Sequence, residues 1–317
     1  MIAMGLVLLG LAGLVVGGEM LVRGSVSVAK AFGIPPMVIG LTLVGFGTSS
    51  PELVTSLQAA LSGAPDLAIG NVVGSNIGNV LLILGLTALL APIAVHPAAF
   101  RRDGGVMVLA TVLCLGAVLI GEIGRAVGLG FLLVLAAYLA FTLITERRAA
   151  RTAAAAVYEA EAEAVPGPDQ RMGVALLLTV AGLAITILGA RGLVSGAVSL
   201  AQAVGLSETV IGLTIVAIGT SMPELVTSII AIRKNQAEVA LGNVLGSNIF
   251  NVLCILGITA LVQPMVIPAE IVALDIWVMC ASALMLVVFA WTGWRIGRRE
   301  GGIMLACYAA YLAWLLI

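Results

Sequence analysis

Residues 39–56 read IGLTLVGFGTSSPELVTS, and residues 211–228 read IGLTIVAIGTSMPELVTS. Fourteen of the eighteen positions are identical, at a constant offset of 172. Each copy lies in strongly apolar sequence and carries one glutamate, Glu52 or Glu224, directly after a proline. A carboxylate deep in a membrane costs about 3 kcal/mol on insertion scales and more by simulation. A chain that accepts this cost twice, in matching surroundings, points to bound cations. The repeat continues beyond the glutamates. Residues 70–85 read GNVVGSNIGNVLLILG and residues 242–257 read GNVLGSNIFNVLCILG, with thirteen of sixteen positions identical at the same offset. The spacers between the blocks are thirteen residues long in both copies but share little identity. Near-identical blocks rich in Gly, Ser, Thr and Asn, joined by a divergent spacer, suggest a retained site.

The composition fixes the solvent. The 317 residues are 61% hydrophobic and 10% charged, with a mean hydropathy of +1.19. That much apolar sequence describes an all-α, polytopic membrane protein. The basic residues lie in short scattered clusters, which argues against a nucleic-acid partner. Cys114, Cys254, Cys280 and Cys307 all lie in apolar stretches and read as small buried hydrophobes rather than a disulfide framework or metal site. The N-terminus lacks a basic leader region and a clear cleavage site, so it reads as a first membrane helix.

Hydropathy places ten spans at about 2–30, 36–62, 66–91, 104–121, 126–145, 173–203, 208–231, 238–262, 269–291 and 302–317. The expected organisation is a first five-helix repeat at 1–145, a linker at 146–172 and a second five-helix repeat at 173–317. The linker is charged and contains Pro166-Gly167-Pro168, so it is expected to hold at most a brief helix. Five spans per half is an odd number, so the second half enters the membrane in the opposite sense. Sequence repetition with odd span count is an inverted-topology repeat, an architecture of many secondary transporters. With the N-terminus outside, twelve Lys and Arg fall on cytoplasmic connections and only Arg125 falls outside. Both termini are therefore expected outside, with the 146–172 linker cytoplasmic.

The motifs GTSSPE (47–52) and GTSMPE (219–224) carry the chemistry. Proline has no N–H and clashes with the preceding turn, so it interrupts or restarts a helix. The unwound backbone of a discontinuous membrane helix offers carbonyl oxygens, and Ser or Thr adds hydroxyls. The glutamate follows in the first turn, near the positive end of the new half-helix. Ser75 and Asn79 are four apart and share one helical face, as do Ser247 and Asn251. These segments offer carboxylate, hydroxyl, amide and carbonyl oxygens without His or Cys. Such hard ligands suit Na⁺, Ca²⁺ or Mg²⁺ rather than zinc or copper. Two carboxylates neutralise one divalent ion, and a flexible oxygen cage favours Ca²⁺ over Mg²⁺.

The paired G-T-S-x-P-E and G-S-N-I-x-N signatures resemble the α-repeats of the Ca²⁺/cation antiporter superfamily, in particular its sodium/calcium exchanger branch. The resemblance covers nearly the whole chain. It implies an antiporter, not an enzyme, exchanging Na⁺ for Ca²⁺ by alternating access around a midplane site. It implies that Glu52 and Glu224 are the central acidic pair. Thr48, Ser49, Thr220 and Ser221 match residues whose hydroxyls or carbonyls line the sites, and Gly45 and Ala217 match positions giving backbone carbonyls. Ser75, Asn79, Ser247 and Asn251 match the ligands of the third and eighth helices. Some members carry Asp where this chain has Asn251, and the large calcium-sensing insert of animal exchangers is absent. The chain looks like a compact prokaryotic-type exchanger of the inner membrane, with the transported ions and lipid as its partners, no cofactor and no evident obligate protein partner. A proton-coupled or K⁺-dependent relative is the near alternative. A cation channel fits less well, because the halves repeat within one chain.

Several polar residues have blander readings. Ser75 and Ser247 could bond back to their own helices, and Asn79 and Asn251 could join helices. Asn71, Asn76, Asn243 and Asn248 are expected to cap helix breaks rather than touch ions. Glu19 aligns with Arg191 at the repeat offset, and both read as interfacial or partly solvated. His96 reads as a surface loop residue. Asp275 lies inside the ninth span with no counterpart of obvious function.

Overall fold

A backbone in hydrocarbon has no water to satisfy its N–H and C=O groups, so apolar runs of this length fold as helices. The computed structural model describes residues 2–32, 36–63, 65–160, 172–203 and 217–315. Among the described residues, seven helices are long and apolar enough to cross a membrane. Helix α1 is Ile2–Phe32. Helix α2 covers 36–48 and α3 is Ser50–Leu61. Then follow α4 (Pro65–Leu90), α5 (Pro97–Ile120), α6 (Arg125–Ala160) and α7 (Met172–Ala203). The second half continues with α8 (Ala217–Thr220), α9 (Met222–Arg233), α10 (Ala237–Val262), α11 (Ile271–Trp291) and α12 (Arg298–Leu315). The seven long apolar helices are α1, α4, α5, α6, α7, α10 and α11. Of the other expected spans, 36–62 is broken into α2 and α3, and 302–317 corresponds to α12. The first part of the expected 208–231 span lies outside the described residues.

Two boundaries depart from hydropathy. Helix α5 starts at Pro97 rather than near 104, and α12 starts at Arg298 rather than near 302. Both begin with charged turns that depress the hydropathy without breaking the helix. Pro97 suits a first helical turn, where its missing N–H costs nothing. Helix α6 runs on to Ala160, so the first part of the expected linker is helical rather than irregular. Its alanine-rich sequence, 149–156, accounts for this through intrinsic propensity.

Helices α4 and α10 form the centre. In their most apolar windows 78% and 89% of residues are buried, against at most 44% in the other five long helices. Both change to wider π-helical turns at matching places, Asn79–Leu84 and Asn251–Leu256. Single π-turns of this kind concentrate at functional sites. Helix α2 lies directly on α10, and glycines permit the approach. A Cβ on Gly246 would fall 2.1 Å from the Leu41 carbonyl oxygen, and one on Gly40 would fall 2.6 Å from that of Val239.

Two short strand pairs close the ends of the bundle. Strand β1 (Ile93–Ala94) pairs antiparallel with β4 (Arg295–Ile296), and β2 (Glu122–Ile123) pairs antiparallel with β3 (Met265–Val266). Each pair takes one strand from each half of the sequence.

Helices α1 and α7 pack antiparallel along a glycine seam. Cβ atoms on Gly10, Gly17 and Gly24 would each lie within 2.6 Å of α7 backbone nitrogens at Leu193, Thr186 and Thr179 respectively. Thr179 and Thr186 return their hydroxyls to Ala175 O and Gly182 O, both at 2.8 Å, so no polar group is stranded in the seam. Small residues bring membrane helices close where there is no hydrophobic drive between them. Gly17→Ala is expected to lower the melting temperature of the detergent-solubilised protein, through an overpacking cost of about 1–3 kcal/mol. Gly5→Ala, where a Cβ meets nothing within 4 Å, should leave it unchanged or slightly raised. Equal melting points for both variants would show that the seam is not tightly packed.

Candidate cation site

The break between α2 and α3 is one residue wide. Ser49, with φ −80° and ψ 3°, separates the helices, and Pro51 sits in the first turn of α3 with Glu52 beside it. Ser221, with φ −90° and ψ 9°, separates α8 from α9, where Pro223 and Glu224 repeat the arrangement. The unwinding is thus narrower than the sequence suggests. Gly45 O accepts the Ser49 N–H at 3.1 Å and the Ser247 hydroxyl at 3.4 Å, so this carbonyl is engaged rather than freed. Ala217 begins α8.

Both glutamates are 1% exposed. Each is held by a serine from the opposite half. Ser49 Oγ donates to Glu224 Oε1 at 3.1 Å, and Ser221 Oγ donates to Glu52 Oε1 at 3.5 Å. The two carboxylates lie within electrostatic reach of each other, and Thr48 and Ser247 are further polar neighbours of Glu224. The Thr48 hydroxyl lies 3.0 Å from Val44 O and 3.2 Å from Asn243 Oδ1. Thr220 ends α8 immediately before the break.

The asparagines tie helices together rather than cap the breaks. Asn71 Nδ2 donates to Glu52 O at 3.4 Å and to Ser56 Oγ at 3.0 Å. Asn243 Nδ2 donates to Glu224 O at 3.3 Å and to Ser228 Oγ at 3.0 Å. These bonds tie α3 to α4 and α9 to α10 at the level of the acids. Asn76 and Asn248, expected at helix breaks, instead join α4 to α10. Asn79 Nδ2 donates to Asn248 Oδ1 and Asn251 Nδ2 to Asn76 Oδ1, both at 3.0 Å. Asn76 Nδ2 reaches Asn248 O at 3.3 Å and Met279 Sδ at 3.7 Å, and Asn248 Nδ2 reaches Met107 Sδ at 3.9 Å. Ser75 and Ser247 are buried beside these amides.

Among the described residues the buried side-chain oxygens without a hydrogen-bond partner are the hydroxyls of Thr142, Thr227 and Thr259 and four acceptors of this network. Glu52 Oε2, Glu224 Oε2, Asn79 Oδ1 and Asn251 Oδ1 are buried with no hydrogen-bond partner. All four are acceptors from matched positions of the two repeats. Buried polar atoms are ordinarily satisfied, so each exception asks for a ligand or another explanation. Oxygen acceptors without donors are what a hard cation coordinates. Among the described residues no group of three or more His, Cys, Asp or Glu is assembled, so the set is not that of a transition-metal centre.

Sequence reasoning missed Ser56, Ser228, Met107 and Met279. The serines close the identical PELVTS blocks, a usable signal. The methionines also match at the 172 offset but stand in divergent helices. Asp275 now has an account. Its counterpart at the offset is Asp103, and each aspartate accepts from a tyrosine on the last helix of its own half, Tyr138 Oη to Asp103 and Tyr311 Oη to Asp275, both at 2.9 Å. Asp103 is also paired with Arg102. Glu19 is partly solvated and pairs with Lys234 at 2.5 Å. His96 is exposed, as expected. Cys114 and Cys254 are buried and Cys280 and Cys307 partly so.

Broken helices, a buried acidic pair and orphaned hard oxygens at the centre of apolar helices define a membrane protein of the cation-transporting class. The family model for sodium/calcium exchanger proteins matches residues 2–144 and 174–317. The chain belongs to the sodium/calcium exchanger family. It is 36% identical over 316 residues to the inner membrane protein YrbG of Escherichia coli (strain K12), covering 99% of this chain and 96% of that protein. It is 35% identical over 337 residues to the sodium/calcium exchanger MaX1 of Methanosarcina acetivorans, covering 97% and 96%. Among solved structures it is similar to the sodium-calcium exchanger NCX_Mj soaked with zero Na⁺ and Ca²⁺, with a TM-score of 0.84, 33% identity and 99% of both chains covered.

The thioethers make a testable contribution. Sulfur here can only accept, so Met279 and Asn248 O turn the Asn76 amine towards them and its oxygen towards Asn251. That fixes Asn251 with its own Oδ1 unpaired. Met279→Leu conserves volume and should change stability little. Cation binding by the purified protein should weaken about two- to five-fold, the loss of one weak hydrogen bond. In an Asn76→Ala background the same change should have no further effect, because additivity fails for groups acting through one network. Additive losses in the double variant would reduce Met279 to a packing role.

Proposed function

We propose that this chain is an antiporter exchanging Na⁺ for Ca²⁺ by alternating access around this site. The observation that carries the reading is the set of four unpartnered buried oxygens, two carboxylate and two amide, drawn equally from both halves. Glu52 and Glu224 supply the charge that a divalent ion needs. Asn79 and Asn251 supply neutral oxygens, and Ser75, Ser247, Thr48, Ser49, Thr220 and Ser221 supply hydroxyls or carbonyls, with the backbone at Gly45 and Ala217 alongside. Ser49 and Ser221 now bond the opposite glutamate, so they can hand a carboxylate oxygen to an arriving cation and offer it their own lone pairs. Na⁺ and Ca²⁺ then compete for overlapping oxygens. The Na⁺-linked exchange ascribed to MaX1 and NCX_Mj supports this choice of ions.

The architecture in this reading is ten spans in two inverted repeats of five, 1–145 and 173–317, joined by 146–172. The strand pairs support it. Strands β1 and β3 occupy matching places in the two halves, offset by 172, yet they belong to different pairs. This is the pairing that an inverted arrangement of the two halves calls for. With twelve basic residues to one favouring the cytoplasmic side, both termini lie outside.

Glu52→Gln and Glu224→Gln should each abolish Ca²⁺ transport in proteoliposomes while the protein still purifies as a monodisperse membrane protein. Amides keep the shape and remove the charge. Normal Ca²⁺ flux in either variant would remove the site assignment.

Coupling is tested separately. An outward Na⁺ gradient should drive ⁴⁵Ca²⁺ uptake in the absence of K⁺, and a proton gradient alone should not. Neutral Asn79 and Asn251 favour this outcome, because an amide coordinates Na⁺ but carries no exchangeable charge. Uptake driven by a pH gradient in Na⁺-free medium would establish proton coupling instead.

For orientation, single cysteines introduced at residues 150–170 should react only from the cytoplasmic side, and those at Asp66 and Glu208 only from outside. The reverse pattern would invert the topology.

A further inference from the structure

The two ends of the bundle are built alike but charged differently. Around the β1–β4 pair stand Arg101, Arg102, Arg295, Arg298 and Arg299, whereas the segments flanking the β2–β3 pair carry Arg125 with Glu122 and Glu270. At the arginine-rich end a pocket of about 580 Å³ opens between the 291–299 turn and Pro92, lined by Thr292, Gly293, Arg295, Arg298 and Arg299. Its one carboxylate is already engaged, since Glu300 Oε2 accepts the Gly297 N–H at 3.1 Å. Arg298 reaches the carbonyl of Leu90 at 3.4 Å. Among the described residues none of Arg295, Arg298 and Arg299 is paired with a carboxylate. Three guanidinium groups therefore share one cavity with the single carboxylate of Glu300, which leaves an excess of positive charge.

The backbone beside the pocket is strained in a way the opposite end is not. Gly293 has φ +94° and Trp294 has φ +53°, a conformation that a bulky side chain rarely adopts. The corresponding turn at the other end uses left-handed Gly121 alone. Such outliers persist where the surroundings enforce them, and they concentrate at functional positions. Here the strained residue stacks on Trp291, with ring centroids 6.2 Å apart, and carries the Arg101 guanidinium 5.2 Å from its own centroid. Trp291 remains exposed at the last turn of α11, where apolar helix gives way to arginines.

We propose that this pocket binds the phosphate of an anionic phospholipid, with Arg295, Arg298 and Arg299 on the phosphate oxygens and Trp291 against the adjoining acyl chain. The guanidinium fork matches phosphate oxygens in geometry and charge. Tryptophan suits the boundary between headgroup and hydrocarbon, and basic pockets between membrane helices recognise anionic headgroups. In the proposed orientation this end faces the cytoplasmic leaflet. The inference needs only a membrane protein and does not depend on which ions the centre carries.

The test uses the full chain in neutral detergent, with lipid binding read by native mass spectrometry and by melting temperature. Phosphatidylglycerol is expected to bind and raise the melting temperature, with phosphatidylcholine at least about tenfold weaker. Arg295→Gln/Arg299→Gln should abolish that preference, whereas Arg233→Gln, a basic residue elsewhere on the same face, should retain it. Both Arg295 and Arg299 are exposed and unpaired, so the variant is expected to fold, and its melting temperature without lipid checks this. Equal binding of the two lipids, or an undiminished preference in the double variant, would overturn the proposal. So would glycerol phosphate binding as tightly as the lipid, which would mark a site for soluble phosphate. Ion transport that fails while the lipid preference survives would count against the antiporter reading alone.

Discussion

Everything in this structure answers to the burial of two like charges at the centre of an apolar bundle. Glu52 and Glu224 are withdrawn from solvent, and among the described residues neither is paired with Lys, Arg or His. A carboxylate in that position keeps its charge only if hydrogen bonds or a cation replace the lost hydration. The protein satisfies these acids in part: Ser221 bonds Oε1 of Glu52 and Ser49 bonds Oε1 of Glu224, while Oε2 of both is left without a partner. A fold meant only to bury these acids would have completed their hydrogen bonding or supplied a basic side chain. In the antiporter reading, the incomplete satisfaction is what gives a mobile cation a reason to enter, and because it is shared between two acids, a divalent ion or more than one monovalent ion can discharge it.

The second consequence is symmetry of support. Each acid leans on the other half through serine, and each central helix leans on the other through an amide pair. Neither half can complete its own site. The close approach of α2 to α10, made possible by Gly40 and Gly246, is therefore as necessary to the site as the acids. The aspartate–tyrosine pairs show the same logic further out. Asp103 and Asp275 anchor α5 and α11 to the last helix of their halves, and those two helices present Met107 and Met279 to the amides.

The local part of this was legible in the sequence. Proline after two hydroxyl residues dictates a break, and the glutamate's place in the following turn is read directly from spacing. The asparagine relay was not legible, because its bonds join residues 169 to 175 apart in the chain and depend on how α4 and α10 cross. From the sequence, Asn76 and Asn248 are expected to cap breaks in the helices. The π-helical turns that follow Asn79 and Asn251 have no sequence signature at all. Asp275 looked isolated because it stands alone in an apolar run, while Asp103 follows two arginines and read as part of a loop. Hydropathy averages over charges; it cannot tell a solvated turn from a helix end whose aspartate is buried against a tyrosine.

Where the repeats differ, the difference has an energetic meaning. In the antiporter reading, a perfectly repeated chain would have inward- and outward-facing states of equal energy, since repeat symmetry exchanges one for the other. The sequence departs from this at the site's edge. Phe46 and Phe250 place their rings 5.0 Å apart, whereas the matching positions are Ile218 and Gly78, which can make no aromatic contact. An aromatic pair contributes about 0.5–1.5 kcal/mol beyond its buried area. One state can hold this contact while its symmetry mate has no equivalent, which biases the equilibrium by roughly two- to twelve-fold. A bias of that size sets a resting state without trapping the protein in it. The acids and amides, by contrast, must present the same oxygens to both sides of the membrane, and they are the residues the two halves share.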